Sequence, residues 1–76
     1  MNVITIQLHH VNQVREFVNL ASTYPFDIDL VSGRYTVDAK SLLGIYSLDL
    51  NNPLQVIIYG DNAEDFAKKL EAYRAQ

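Results

Sequence analysis

Three positions offer this chain chemistry: the adjacent pair His9 and His10, and Ser41. The histidines fall where a segment of strand period gives way to one of helical period. That junction places them at a helix N-terminus, where unpaired backbone N–H groups and the positive end of the helix dipole disfavour imidazolium and favour an attached or nearby anion. A phosphoryl group carried on an imidazole suits such a place. The alternative is a pair of solvated residues in a connecting loop. Ser41 opens a second, shorter helical segment, beside Lys40 and ahead of Leu42, Leu43 and Tyr46. A phosphoserine there accepts hydrogen bonds from helix amides and adds a double negative charge beside an apolar patch. The alternative is an ordinary capping serine over residues that belong to the core.

Other chemistries find no support. The chain has no cysteine and only two histidines, so no tetrahedral metal set is complete, and no disulfide framework is available. There is no Gly-x-Ser-x-Gly turn for a nucleophilic serine. The glycines, Gly33, Gly44 and Gly60, are too scattered for a phosphate-cradling loop, and no cofactor is expected. Nine acidic against six basic residues give a net charge of −3, which argues against a reader of nucleic acid. Tyr24, Tyr35, Tyr46, Tyr59 and Tyr73 are expected to pack, because the basic groove of a stacking platform is missing. No apolar run approaches the roughly 18 residues of a membrane span, and the first residues lack the pattern of a signal peptide. A soluble, cytoplasmic protein without membrane insertion is the expectation.

The elements that must position these residues follow from hydrophobic period. Ile4, Ile6 and Leu8 alternate with Val3, Thr5 and Gln7, predicting a strand over 2–8. Val11, Val14, Phe17, Val18 and Ala21 recur at helical steps opposite Asn12, Arg15 and Glu16, and the residues before Pro25 end that helix. Phe26, Ile28 and Leu30 begin a second strand, and the Ser32-Gly33 turn leads into a third that ends at Asp38. Ser41 caps a helix of one or two turns containing Gly44. Leu54 to Tyr59 is apolar on both faces and therefore predicted to be central in the sheet. Asp61 and Glu64 form a candidate capping box for a final helix with Ala63, Phe66, Ala67, Leu70 and Tyr73 inward.

At 76 residues there is room for one domain, residues 1–76. The order βαββαβα, with helices whose apolar stripes need covering and an outer sheet face polar at Thr5, Gln7, Asp27, Asp29 and Thr36, predicts an α+β fold. Its form is an open-faced sandwich with a four-stranded, mostly antiparallel sheet and three helices on one face.

The segment Lys40-Ser41-Leu42-Leu43-Gly44-Ile45-Tyr46-Ser47-Leu48 resembles the Lys-Ser-Ile-Met-Gly-Val-Met-Ser-Leu segment of HPr, the small phosphocarrier family of the bacterial phosphoenolpyruvate:sugar phosphotransferase system. Ala21-Ser22-Thr23-Tyr24, Phe26-Asp27-Ile28, the Ser32-Gly33 turn, Leu54 to Gly60 and the final helix follow at the family's spacing. Only the connection from Asp49 to Pro53 is shorter. The resemblance implies His10 as the acceptor of a phosphoryl group, Val11 and Asn12 as residues supporting that group, Ser41 as a site of regulatory phosphorylation, and Leu42, Leu43 and Tyr46 as the docking surface. It implies Enzyme I and sugar-specific acceptor domains as partners, with a serine kinase/phosphorylase and a transcriptional regulator as further ones. Where the family has Gly-Ile-His-Ala-Arg-Pro-Ala, this chain has Leu8-His9-His10-Val11-Asn12-Gln13-Val14: only the histidine matches, Asn12 stands for an arginine and Gln13 for a proline. Two functions are compatible with this pattern. One is a working phosphocarrier. The other is a degenerate paralogue that binds regulatory partners through the apolar patch without phosphotransfer.

Overall fold

The period-two segments form strands β1 (Asn2–Ile6), β2 (Asp27–Ser32), β3 (Tyr35–Asp38) and β4 (Leu54–Tyr59) in the computed structural model, which describes residues 2–74. Helices α1 (Val11–Ser22), α2 (Leu42–Tyr46) and α3 (Glu64–Lys69) connect and follow them, and a 3-10 turn over Leu70–Tyr73 continues α3. The strands lie in the order β1-β4-β2-β3, and every neighbouring pair is antiparallel. β4 is interior, as its composition predicts: Leu54, Val56 and Ile58 are buried on one face while Ile57 is half-buried on the other.

Register explains how one core serves all the elements. Val56 sits opposite Ile4 on one side and Leu30 on the other, and Leu54 faces Ile6, so a single sheet face carries the large aliphatic side chains. Against that face pack Val14, Phe17 and Ala21 of α1, Ile45 of α2, and Phe66 and Leu70 near the C-terminus. Each helix thereby covers its apolar stripe, and the α+β open-faced sandwich is the observed architecture. The opposite face carries exposed Thr5, Asp27, Thr36 and Gln55 with half-buried Asp29.

Several local expectations are corrected. β1 stops pairing at Ile6, two residues early, because the chain turns toward α1; Leu8 is nevertheless buried in the core. The hairpin between β2 and β3 turns through Gly33 and Arg34, since Ser32 is still paired with Tyr35. Gly33 has φ +58°, the conformation that the first central position of such a turn demands and that a side chain resists. The Asp61/Glu64 capping box does not form. Asn62 adopts φ 60° and Ala63, buried in the core, becomes the N-cap, which moves Asp61 out of capping register. Glu64 and Asp65 in the first turn of α3 and Lys68 and Lys69 in its last turn still complement the helix dipole. Of the tyrosines, Tyr24 and Tyr73 are half-buried and pack on the core, whereas Tyr35, Tyr46 and Tyr59 are exposed.

Two long-range devices hold the loops beneath the helices. Lys40 Nζ donates to the carbonyl oxygens of Tyr24 at 2.7 Å and Phe26 at 2.8 Å, fixing the α1–β2 connection against the start of α2. The rings of Tyr24, Phe26 and Phe66 cluster, with Tyr24 4.8 Å from Phe66 between centroids, and Gly60 leaves room for them: a Cβ there would lie 2.6 Å from that of Phe26.

Candidate functional site

Leu8 anchors the end of β1 in the core, so the next two residues are projected from the surface: His9 and His10 are both exposed. His10 is the N-cap of α1, with extended backbone (φ −134°, ψ 155°), and its imidazole makes no capping hydrogen bond. Its carbonyl accepts from the amides of Gln13 at 3.0 Å and Val14 at 3.2 Å, which starts the helix. The amides of Val11 and Asn12 precede the first intrahelical bond and are the ones an anion at His10 would use. Gln13 reaches back, and its Oε1 accepts from the His9 amide at 2.7 Å. That contact does part of the work of a capping box, one residue outside its usual place, and stiffens the histidine segment without a proline.

Two grooves lie beside the histidines, one lined by both and one by His9 without His10. One, of about 300 Å³, is lined by Gln7, His9, His10, Val11, Tyr46 and Asn51, with Leu8 and Leu50 beneath. Gln7 Nε2 donates to the Asn51 carbonyl at 3.0 Å, so the α2–β4 loop is tied to the end of β1 and forms a wall of this groove. Asp49 braces the same loop by accepting from the Asn51 amide and the Asn52 side chain, each at 3.0 Å. The other groove, of about 370 Å³, shares Gln7 and His9 with the first and is lined further by Gln13, Ala72, Tyr73 and Arg74. Burial, then the Glu16 carboxylate that its hydroxyl contacts at 3.2 Å, push the Tyr73 phenol above its ordinary range.

The structure brings His10, Val11 and Tyr46 together and keeps Ser41 apart from them. Ser41 caps α2, its Oγ accepting from the Gly44 amide at 3.1 Å, and it lines neither groove at the histidines. Leu43, 82 % exposed, and Tyr46 project from α2, but Leu42 is half-buried against the core and borders a separate depression with Arg15, Val18 and Asn19. Val11 is a correction in the opposite direction. Its spacing assigns it to the buried stripe of α1, yet it is 60 % exposed, because the first residue of a helix tilts its side chain back beyond the helix end rather than over the sheet. Asn12 is exposed beside it. Sequence reasoning missed Gln13, Asn51 and Arg74. Gln13 had a signal, a glutamine three residues after the cap; Asn51 and Arg74 reach the site only through tertiary pairing.

A four-stranded antiparallel sheet covered on one face by three helices, with a histidine capping the first helix beside an exposed apolar short helix, defines a class of small phosphocarriers. The family model PTS-HPr, described as the PTS HPr component phosphorylation site, matches residues 3–76, and the chain belongs to this family. Among solved structures it is similar to HPr-C-His from Thermoanaerobacter tengcongensis, with a TM-score of 0.81 and 29 % identity over 95 % of this chain and 89 % of that one. It is also similar to a phosphocarrier protein HPr from Bacillus anthracis strain Ames, with a TM-score of 0.78 and 26 % identity over 97 % of this chain and 94 % of that one. No curated protein matches the chain. A general phosphocarrier role in the phosphotransferase system follows from the family. Among the described residues, no helix is long and apolar enough to cross a membrane.

Proposed function

We propose that this protein is a cytoplasmic phosphocarrier that receives a phosphoryl group from Enzyme I on His10 and passes it to sugar-specific acceptor domains. The observation that carries the reading is His10 itself: an exposed imidazole at the N-cap of a twelve-residue helix, free of internal capping bonds and above unused amides. In the transfer, a ring nitrogen of His10 attacks phosphorus as the bond from phosphorus to the donor group of Enzyme I breaks. The His10 ring releases the proton from its other nitrogen, and the departing donor group takes one up. Val11 and Asn12 amides meet the phosphoryl oxygens, and Val11, Leu43 and Tyr46 supply an apolar surface on which either partner docks. Leu42, half-buried, seats α2 against the core and offers its remaining surface at the depression beside Arg15, Val18 and Asn19. Ser41 is the regulatory position: a phosphate on its Oγ would displace the cap to Gly44 and place a dianion at the base of the docking helix.

The second reading, a regulatory binding module without phosphotransfer, rests on Asn12, which offers neutral donors where a cation would neutralise the phosphoryl charge. The two separate in one experiment. Intact mass is measured after incubation with Enzyme I and phosphoenolpyruvate, alongside His10→Ala. A single acid-labile phosphoryl group absent from His10→Ala supports the carrier; no addition, with an Enzyme I that phosphorylates its ordinary partner, overturns it in favour of the binding module.

A further inference from the structure

A phosphoryl group on the histidine pair adds close to two negative charges to a chain whose net charge is already −3. Helix amides alone meet that charge with partial charges, and a full cation within reach compensates it more strongly. Among the residues lining the two grooves beside the histidines there is one cation, Arg74, in the groove it shares with His9, Gln7 and Gln13. It arrives there by tertiary pairing. The Gln7 amide donates to the Tyr73 carbonyl at 2.7 Å, and Arg74 forms a β-bridge with Ile6, so the backbone that carries Arg74 is held beside the end of β1. His9 lines this groove and His10 lines the neighbouring one, and their ring centroids are 6.4 Å apart, so His9 is the link between Arg74 and the His10 ring.

The Arg74 side chain is also free to respond. Its ion pair within the described residues is with Glu71, Nη1 to Oε1 at 3.2 Å, and both side chains are more than half exposed. Such a pair contributes little, and a phosphoryl dianion outcompetes a lone carboxylate for a guanidinium. Gln13 adds a second donor, because its Oε1 is occupied by the His9 amide and its NH₂ group remains for an anion. From the shared groove, the anchored backbone and the weak existing pair, we propose that Arg74 is the charge-compensating residue for the phosphoryl group, reaching it from the C-terminal segment rather than from α1. The inference rests on the reading that the histidine pair carries phosphate.

The test uses phosphoramidate, a small donor that phosphorylates imidazole without a partner protein, with incorporation followed by intact mass. Arg74→Ala is expected to slow incorporation about tenfold, a modest value for one contact to developing charge at a solvent-exposed site, and Arg74→Lys to recover part of it. The melting temperatures of all three proteins should agree, since the bridge to Ile6 is made by backbone. Equal rates for Arg74→Ala and the unaltered protein overturn the proposal, as does an Arg74→Lys variant as slow as Arg74→Ala. His9→Ala and His10→Ala report which ring is modified, and an Enzyme I arm reports whether the physiological donor is accepted. A chain inert to Enzyme I yet slowed by Arg74→Ala with phosphoramidate defeats the carrier reading and leaves Arg74 in place; a working carrier indifferent to Arg74→Ala does the reverse.

Discussion

Leu43→Asp separates docking from folding, because the side chain is on the surface of α2 and outside the core. Leu43 is 82 % exposed on α2, so its substitution removes almost no buried contact, and stability should move by no more than about 0.5 kcal/mol. For a domain of this size that is a shift of about 2–4 °C in melting temperature. A partner that covers the side chain loses about 1.5–3 kcal/mol of apolar burial. It must also desolvate an unpaired carboxylate, a further cost of about 1–3 kcal/mol or more. Together these weaken association about 100-fold or more. The assay is Enzyme I-dependent phosphorylation at increasing carrier concentration, run beside phosphoramidate modification. KM should rise by that factor while the phosphoramidate rate stays unchanged, because the groove at His10 is lined by Tyr46 and not by Leu43. An unchanged KM would refute the assignment of this surface, and a melting temperature that falls as far as for a core truncation would refute the placement of Leu43 outside the core.

Ser41→Ala removes the oxygen that accepts from the Gly44 amide and should cost about 1 kcal/mol, read as a lower thermal midpoint with α2 the first element to lose amide-exchange protection. Lys40→Met keeps the apolar stem but leaves the carbonyls of Tyr24 and Phe26 without their donor; urea unfolding should report a loss of about 1.5–3 kcal/mol. Tyr24→Phe tests the 2.6 Å contact from the Tyr24 hydroxyl to Asp65. The Tyr24 hydrogen bond, then Lys69, hold the Asp65 carboxyl below its ordinary 3.8, so this group's contribution is present above that value and is lost as pH falls through the lowered one. The Asp65 hydrogen bond, then burial, raise the Tyr24 phenol above 10.0, so its contribution is present below that value and is lost as pH rises through the raised one. In the Phe variant both limbs of a stability–pH profile should flatten, and a profile that keeps both limbs would count against the contact.

Much of the site was legible because it is built from local signals. Helix α1 occupies Val11–Ser22, where the three-and-four spacing predicts it, and His10 is the cap because the strand period ends just before it. Ser41 is likewise a cap by its position ahead of an apolar run, and its bond to Gly44 spans three residues. The misreadings sit at element ends. Val11 has the spacing of a core residue but not the location, and the Asp61/Glu64 pattern fails because a left-handed Asn62 shifts the cap by two residues.

Hydrophobic period and capping chemistry depend on neighbours along the chain, so the sequence by itself determined which segments are strands and helices, which faces are apolar, and that an imidazole and a serine hydroxyl begin two helices. Strand order was a different matter. That β4 lies between β1 and β2 depends on which partners bury the most surface together. Only that pairing carries Asn51 to Gln7, Lys40 to the carbonyls of Tyr24 and Phe26, and Arg74 to the groove beside His9. These contacts join residues far apart in sequence through polar groups that leave no periodic trace, and their geometry exists only after the sheet and its covering helices have closed on the core.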